Sequence, residues 1–372
     1  MLLLLFLSSS VSSSSISLSS SSSPIPSPPL CYTDDSNALH QFKNSFSIID
    51  YNNKYCGRNV PPMTISWKIG KDCCAWSGVT CNNITGHVIS LELNCGMLQG
   101  TIHSNSSLFL LGHLQSLILS GNDFRGSTIP PEFGKLVDLL NLEISMLWGI
   151  IHSNSSLFLL RHLHTLILSS NDFRGSTIPP EFGKFADLLH LRVWSVNLSG
   201  DIPLEISYLS KLQALKVFDE NQQLRLNTST FKRIVTNLTN LQNLTLYSVD
   251  MSRVDPASLM NLSSSLKSLK LWSYGLQGNS PNTIFHLLKL EILSLDGSEN
   301  LTDSLPKCNW SSSLRALSLT NFLIDIPNLI RDLKSLEMLS LSNCRFRGSY
   351  PVLFGNLTQL TSIALSYNDI SG

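Results

Sequence analysis

The sequence predicts an α/β solenoid carrying a curved parallel β-sheet on its concave face. A leucine pattern of nearly constant period, an even cluster of cysteines ahead of it, and a glycine and proline motif recurring between the leucines all point there. Segments of the form LxxLxL open at Val88, Leu114, Leu139, Leu163, Leu188, Leu212, Leu241, Leu266, Leu290, Leu314, Leu336 and Leu360, spaced 22 to 29 residues apart. Each puts its apolar side chains on one side of a short strand that a single repeat cannot shield, so neighbouring repeats must bury them jointly. At about 4.7–4.9 Å between strands, twelve such repeats make a sheet on the order of 55 Å long. A period in this range with this core is the leucine-rich-repeat signature.

In chain order, residues 1–30 read as a leader, 31–86 as a cysteine cap and 87–372 as about twelve repeats, the last one truncated. The opening MLLLLFLSSS, a serine tract to Ser23 and PIPSPPL resemble a secretory signal sequence, without the charged residue that commonly precedes the apolar run. In the cap, Leu39, Phe42 and Phe46 stand at helical spacing, with Asp35 or Ser36 as N-cap candidate. Trp67 and Trp76 bracket Cys73 and Cys74, and His87 to Leu93 forms the first repeat strand. Cys31, Cys56, Cys73, Cys74, Cys81 and Cys95 crowd the first quarter, which reads as a disulfide-stapled cap over the open end of the solenoid. A zinc site is disfavoured, because adjacent Cys73 and Cys74 lack the C-x2-C spacing. Cys344 falls at the inward position held by Asn122, Asn171 and Asn368, where a buried structural thiol is expected.

The second motif appears as FRGSTIP at Phe124 and Phe173, LSGDIP at Leu198 and FRGSYP at Phe346. Its glycine permits a turn and its proline stops regular structure, leaving room for a second short extended segment. Residues 102–142 and 151–191 are near copies offset by 49 residues, two repeat steps, so the solenoid absorbs the duplication in register. The chain stops inside the repeat motif at SYNDISG, and no stretch of 18 or more apolar residues occurs, so it reads as a piece of a longer protein.

Eleven N-x-[ST] sequons, at Asn83, Asn105, Asn154, Asn197, Asn227, Asn237, Asn243, Asn261, Asn300, Asn309 and Asn356, point to the secretory pathway and a glycoprotein. The 26 basic and 26 acidic residues cancel without long runs of either sign, which argues against nucleic acid and favours a protein, peptide or glycan partner.

DCCAWSGVTC at Asp72 to Cys81, Trp67 before it, GHVISLEL after it and the LxGxIP repeats together resemble the plant extracellular leucine-rich-repeat family. LHQFKNSF, IHSNSSLF, EISYLSKL and IFHLLKLEILSL are similar to receptor-like proteins of the Cf disease-resistance type. The resemblance implies a plasma-membrane receptor with extracellular repeats. It would perceive a secreted pathogen protein or peptide and signal through a receptor-kinase adaptor and co-receptor. If the chain is complete, the apoplast is implied instead. Similarity to secreted polygalacturonase inhibitors suggests pairing Cys31 with Cys73 and Cys74 with Cys81, leaving Cys56 and Cys95, although six cysteines allow fifteen connectivities. It also supplies the alternative function, inhibition of a wall-degrading enzyme. A truncated, non-functional receptor fragment is the third reading.

No GxSxG, HExxH or P-loop pattern occurs, and the nine histidines are dispersed, so no catalytic residue, metal or cofactor is expected. Strand alternation turns Trp194, Phe218, Tyr247 and Trp272 toward solvent on the concave face, with Arg192, Lys216, Thr245 and Lys270 in the adjacent row. Aromatic and cationic residues so arranged have the composition of a protein-binding hot spot. Arg192, Trp194, Lys216, Phe218, Tyr247, Lys270 and Trp272 are therefore the expected ligand contacts. The competing expectation is that the rings only brace one another or lie beneath glycans carried by Asn197 and Asn243.

Overall fold

A computed structural model describes residues 30–49, 56, 61–278, 284, 287–297, 300–301, 313–320, 333–344, 347–348 and 357–370. Among them, twelve parallel strands follow one another in sequence order along a single sheet, from Val88–Glu92 to Ser362–Ala364, one for each leucine segment. Their registers pair equivalent positions throughout, as in Leu191, Leu215, Leu244, Leu269 and Leu293, all buried. This is the predicted solenoid, and its core is one continuous stack of leucines with phenylalanines on the convex side.

The chain leaves most strands through a residue in the left-handed region, seven positions after each repeat start: Cys95, Gly121, Met146, Ser170, Ser195, Ser248, Gly297, Asn343 and Tyr367. Beyond these turns lie the second extended segments the glycine and proline motif foretold. At these motifs Gly200–Asp201 pairs with Leu224–Asn227 and Arg347–Gly348 with Asp369–Ile370, and outside them Gln277–Gly278 pairs with Asn300–Leu301. Short 3-10 helices then cross the convex side. The two duplicated copies fold alike, with Ser107–Leu110 and Pro131–Lys135 matched by Ser156–Leu159 and Pro180–Lys184. Ser127 Oγ accepts from Ile102 N at 2.9 Å in one copy, and Ser176 Oγ from Ile151 N at 3.0 Å in the other.

The cap opens with helix α1, Thr33–Asn44, which buries Ala38, Leu39 and Phe42. Its N-terminus corrects the sequence reading. Tyr32 occupies the N-cap position without a side-chain cap bond, while Asp35 and Ser36 lie inside the helix. The Asp35 carboxylate is taken by the first repeat instead, accepting from Val88 N at 2.8 Å and lying 3.2 Å from His87 Nδ1. Strand Val79–Cys81 runs antiparallel to Val88–Glu92 and covers the edge that the first repeat would leave open. Trp67 and Trp76 stack 5.4 Å apart beneath it.

A second helix was not anticipated. The 29-residue step between Leu212 and Leu241 holds α2, Thr228–Asn237, which turns Phe231, Ile234 and Val235 inward at helical spacing. Asn227 caps it, accepting from Thr230 N at 2.9 Å. Among the described residues, no helix is long and apolar enough to cross a membrane.

Candidate ligand-recognition site

Every residue of the expected concave stripe is described, and the sheet register brings them together. Trp194, Phe218, Tyr247 and Trp272 pair across successive strands, as do Arg192, Lys216, Thr245 and Lys270. Ring centroids along the aromatic row lie 4.4, 4.6 and 5.0 Å apart, with Trp194 stacked on Phe218 at 23°. Stacking and accessibility coexist: Trp194, Phe218 and Tyr247 are half-buried against one another, and Trp272 remains 44% exposed at the end of the row.

The cationic row is distinctive in what it lacks. Among the described residues, neither Arg192, Lys216 nor Lys270 forms an ion pair. The Arg192 guanidinium sits 4.7 Å from the Trp194 ring centre, a cation–π contact, and its buried Nε finds no hydrogen-bond partner. On the same face, burial and then the nearby Lys216 charge lower the pKa of His190. The centre of the sheet is therefore an accessible aromatic band beside uncompensated positive charge.

The row continues past the aromatic residues, a feature missed when the sequence was read only for aromatics. Asp296 follows Trp272 in register, and Ser294 follows Lys270. Trp272 Nε1 bonds Ser294 Oγ, which donates to Asp296 Oδ2 at 2.5 Å. Asp296 Oδ1 also accepts from Thr320 Oγ1 at 2.6 Å, and from Thr320 N and Ser318 Oγ at 3.1 Å each. Trp272, Asp296, Ser318 and Thr320 bound a cavity of about 490 Å³ that lies largely open to solvent on the concave face, lined also by Gln222, Tyr247, Ser248, Gly297 and Ser340. Carrying the row one repeat further in the sequence would have found the carboxylate.

The cap cysteines pair as Cys31–Cys73, Cys56–Cys95 and Cys74–Cys81, with Cα separations of 5.4, 5.6 and 5.5 Å. The sulfurs of Cys31, Cys73, Cys74 and Cys81 lie within 4.8 Å of one another, close enough for four thiolates to share an ion. As two cystines they offer no thiolate to one. Cys344 is buried, its Sγ 2.8 Å from the Leu319 carbonyl oxygen, and its N–H donates to Asn368 Oδ1. Cys308 lies outside the described residues.

Of the sequon asparagines, Asn83, Asn105, Asn154, Asn237 and Asn261 are exposed, while Asn197, Asn227 and Asn243 are half-buried. Asn197 donates to Asp172 Oδ1 at 3.0 Å and accepts from Asn221, so its amide belongs to a lateral ladder. Asn243 lies on the concave sheet between Ala214 and Ser268. The backbone of Asn300 is placed, and Asn309 and Asn356 fall outside the described residues.

Models for the leucine-rich-repeat N-terminal domain match residues 33–82, and those for the leucine-rich repeat match 113–136, 162–185 and 335–357. Receptor-like protein 9DC1 of Solanum pimpinellifolium is 35% identical over 93% of this chain, and Receptor-like protein Cf-9 of the same species is 35% identical over 83%. The chain spans about a third of the length of these relatives, 32% and 31%. Among solved structures, the Arabidopsis receptor kinase HAESA, in complex with the peptide hormone IDA and the co-receptor SERK1, is 29% identical with a TM-score of 0.71. That match covers 92% of this chain and 59% of the HAESA chain. Cap, repeats and sequence likeness agree: the chain carries a leucine-rich-repeat N-terminal domain followed by leucine-rich repeats and is similar over most of its length to plant receptor-like proteins of the Cf type.

Proposed function

We propose that this chain is the ligand-recognition portion of a non-catalytic, cell-surface receptor-like protein acting in plant defence. In this reading it binds a secreted pathogen protein or peptide on its concave face. The longer protein would signal through a receptor-kinase adaptor and a co-receptor. The observation that carries the reading is the register-aligned row from Trp194 to Trp272, edged by Arg192, Lys216 and Lys270, which have no ion-pair partner among the described residues. A protein that desolvates this band gains apolar burial and counter-charges together. The HAESA complex, with its peptide hormone and co-receptor, supports the same use of a similar scaffold.

The experiment compares the chain secreted from leaf tissue with its Trp194→Ala/Phe218→Ala variant, each used to capture proteins from pathogen culture filtrates. The expected result is a filtrate protein held by the parent and lost by an equally well secreted variant. Capture unaffected by the double substitution would sink the concave-face assignment. Loss of secretion would show that the rings serve the ladder itself.

A further inference from the structure

The geometry points to a more specific ligand chemistry: the cavity between Trp272, Tyr247 and Asp296 binds a basic side chain, an arginine or lysine of the protein ligand. This inference rests on the recognition reading above and names what part of the ligand enters at this end of the face.

Two aromatic walls meet there, Tyr247 and Trp272, with ring centres 5.0 Å apart and planes inclined at 52°. A ring face in the mouth of a cavity attracts a cation through its quadrupole, and more strongly when the cation is partly desolvated. Asp296 supplies the charge on the far side. Its hydrogen-bond partners are Ser294, Ser318 and Thr320, all neutral, and among the described residues no cation lies within ion-pair distance of it. The carboxylate therefore has its hydrogen-bonding capacity largely filled and its charge unmatched.

That combination separates two possible guests. A sugar would rest on the tryptophan face, but its neutral hydroxyls gain little from the unmatched charge of Asp296. A guanidinium or ammonium group seeks negative charge and aromatic rings, and a carboxylate and two aromatic side chains line the site. The Trp272–Ser294–Asp296 relay fixes the ring relative to the carboxylate before any ligand arrives, so little ordering remains to be done on binding. Further along the sheet, Arg192 and Lys216 repel a cation and direct it toward the Asp296 end, while Lys270 borders the site on the strand of Trp272.

The test uses the whole secreted chain and three probes followed by saturation-transfer NMR: the peptide acetyl-Gly-Gly-Arg-Gly-Gly-amide, the same peptide with neutral citrulline in place of arginine, and cellotetraose. The arginine peptide is expected to bind, with the citrulline peptide weaker by about tenfold or more. Asp296→Asn is expected to reduce arginine-peptide binding to the citrulline level. Should Asp296→Asn fail to be secreted, Trp272→Leu carries the test, because that ring is 44% exposed, and a three- to fivefold weakening is expected, roughly the size of a cation–π contact. Equal binding of the two peptides, binding of cellotetraose without the arginine peptide, or unchanged affinity in both variants would overturn the assignment. Filtrate capture that depends on Trp194 and Phe218, without arginine binding, would remove only the cavity. Arginine binding with capture indifferent to Trp194 and Phe218 would remove only the ladder.

Discussion

At the scale of single residues, Asp35 shows how a side chain chosen for one role in the sequence serves another in the fold. Read locally it is a helix cap. In three dimensions it closes the seam between cap and solenoid, because Val88 opens the first parallel strand and its buried N–H has no earlier repeat to donate to. Asp35→Ala leaves that donor unsatisfied, and the expected loss is about 1–3 kcal/mol, read as a lower denaturant midpoint for the cap. An unchanged midpoint would mean that water replaces the carboxylate. Gly121 is constrained from two sides. Its φ of +73° lies in the left-handed region, and a Cβ there would approach the sulfurs of both Cys56 and Cys95 to 2.9 Å. Gly121→Ala therefore incurs the left-handed cost of about 1–2 kcal/mol and displaces the cystine. The expected readout is a lower thermal midpoint that persists after reduction, in smaller measure, because only the backbone part survives loss of the disulfide.

Elements were legible to different degrees. The strands could be placed because a two-residue alternation and a fixed period over-determine them, so Leu215 and Leu244 had only one face to occupy. Helix α2 was less legible, since TSTFKRIVTN is polar on average and its signals are the long repeat step and the helical spacing of Phe231, Ile234 and Val235. The aromatic row was visible as a register. The Asp296 cavity was not, because it depends on Ser318 and Thr320 from the following repeat. The duplicated unit offers a test at this scale, since it repeats an Asp–Arg pair beside each second extended segment. Hydrogen bonds from Arg125 and Arg174 hold Asp123 and Asp172, respectively, down to about 2. The unfolded carboxylates, near 3.8, protonate first as pH falls. Stability from the pairs is thus present above about pH 4 and is lost as pH drops toward 2. Thermal unfolding between pH 5 and 2 is expected to fall less steeply for Asp123→Asn/Asp172→Asn than for the parent. Parallel curves would mean that the pairs contribute nothing measurable.

For the molecule as a whole, strands among the described residues pair within the same repeat ladder and with the repeats just before and after, so stability is a sum of local interfaces rather than the property of one central core. Amides in middle strands, around Leu215, Leu244 and Leu269, have a paired strand on both sides. The strand Ser362–Ala364 has a partner on one side among the described residues, and Ile363 there is 41% exposed. Hydrogen exchange is expected to be slowest in the middle and faster toward both ends. The cystines sharpen this into a directional test, because the three among the described residues pin the cap and none of them reaches beyond Cys95. Mild reduction should accelerate exchange in Val88–Glu92 and Ser116–Ile118, which lean on the cap. The strands from His190–Trp194 through Ser268–Tyr274 should keep their protection, because their neighbours are untouched. If reduction instead accelerates every strand equally, the solenoid unfolds as one cooperative unit, and the concave recognition face depends on the cap for its existence.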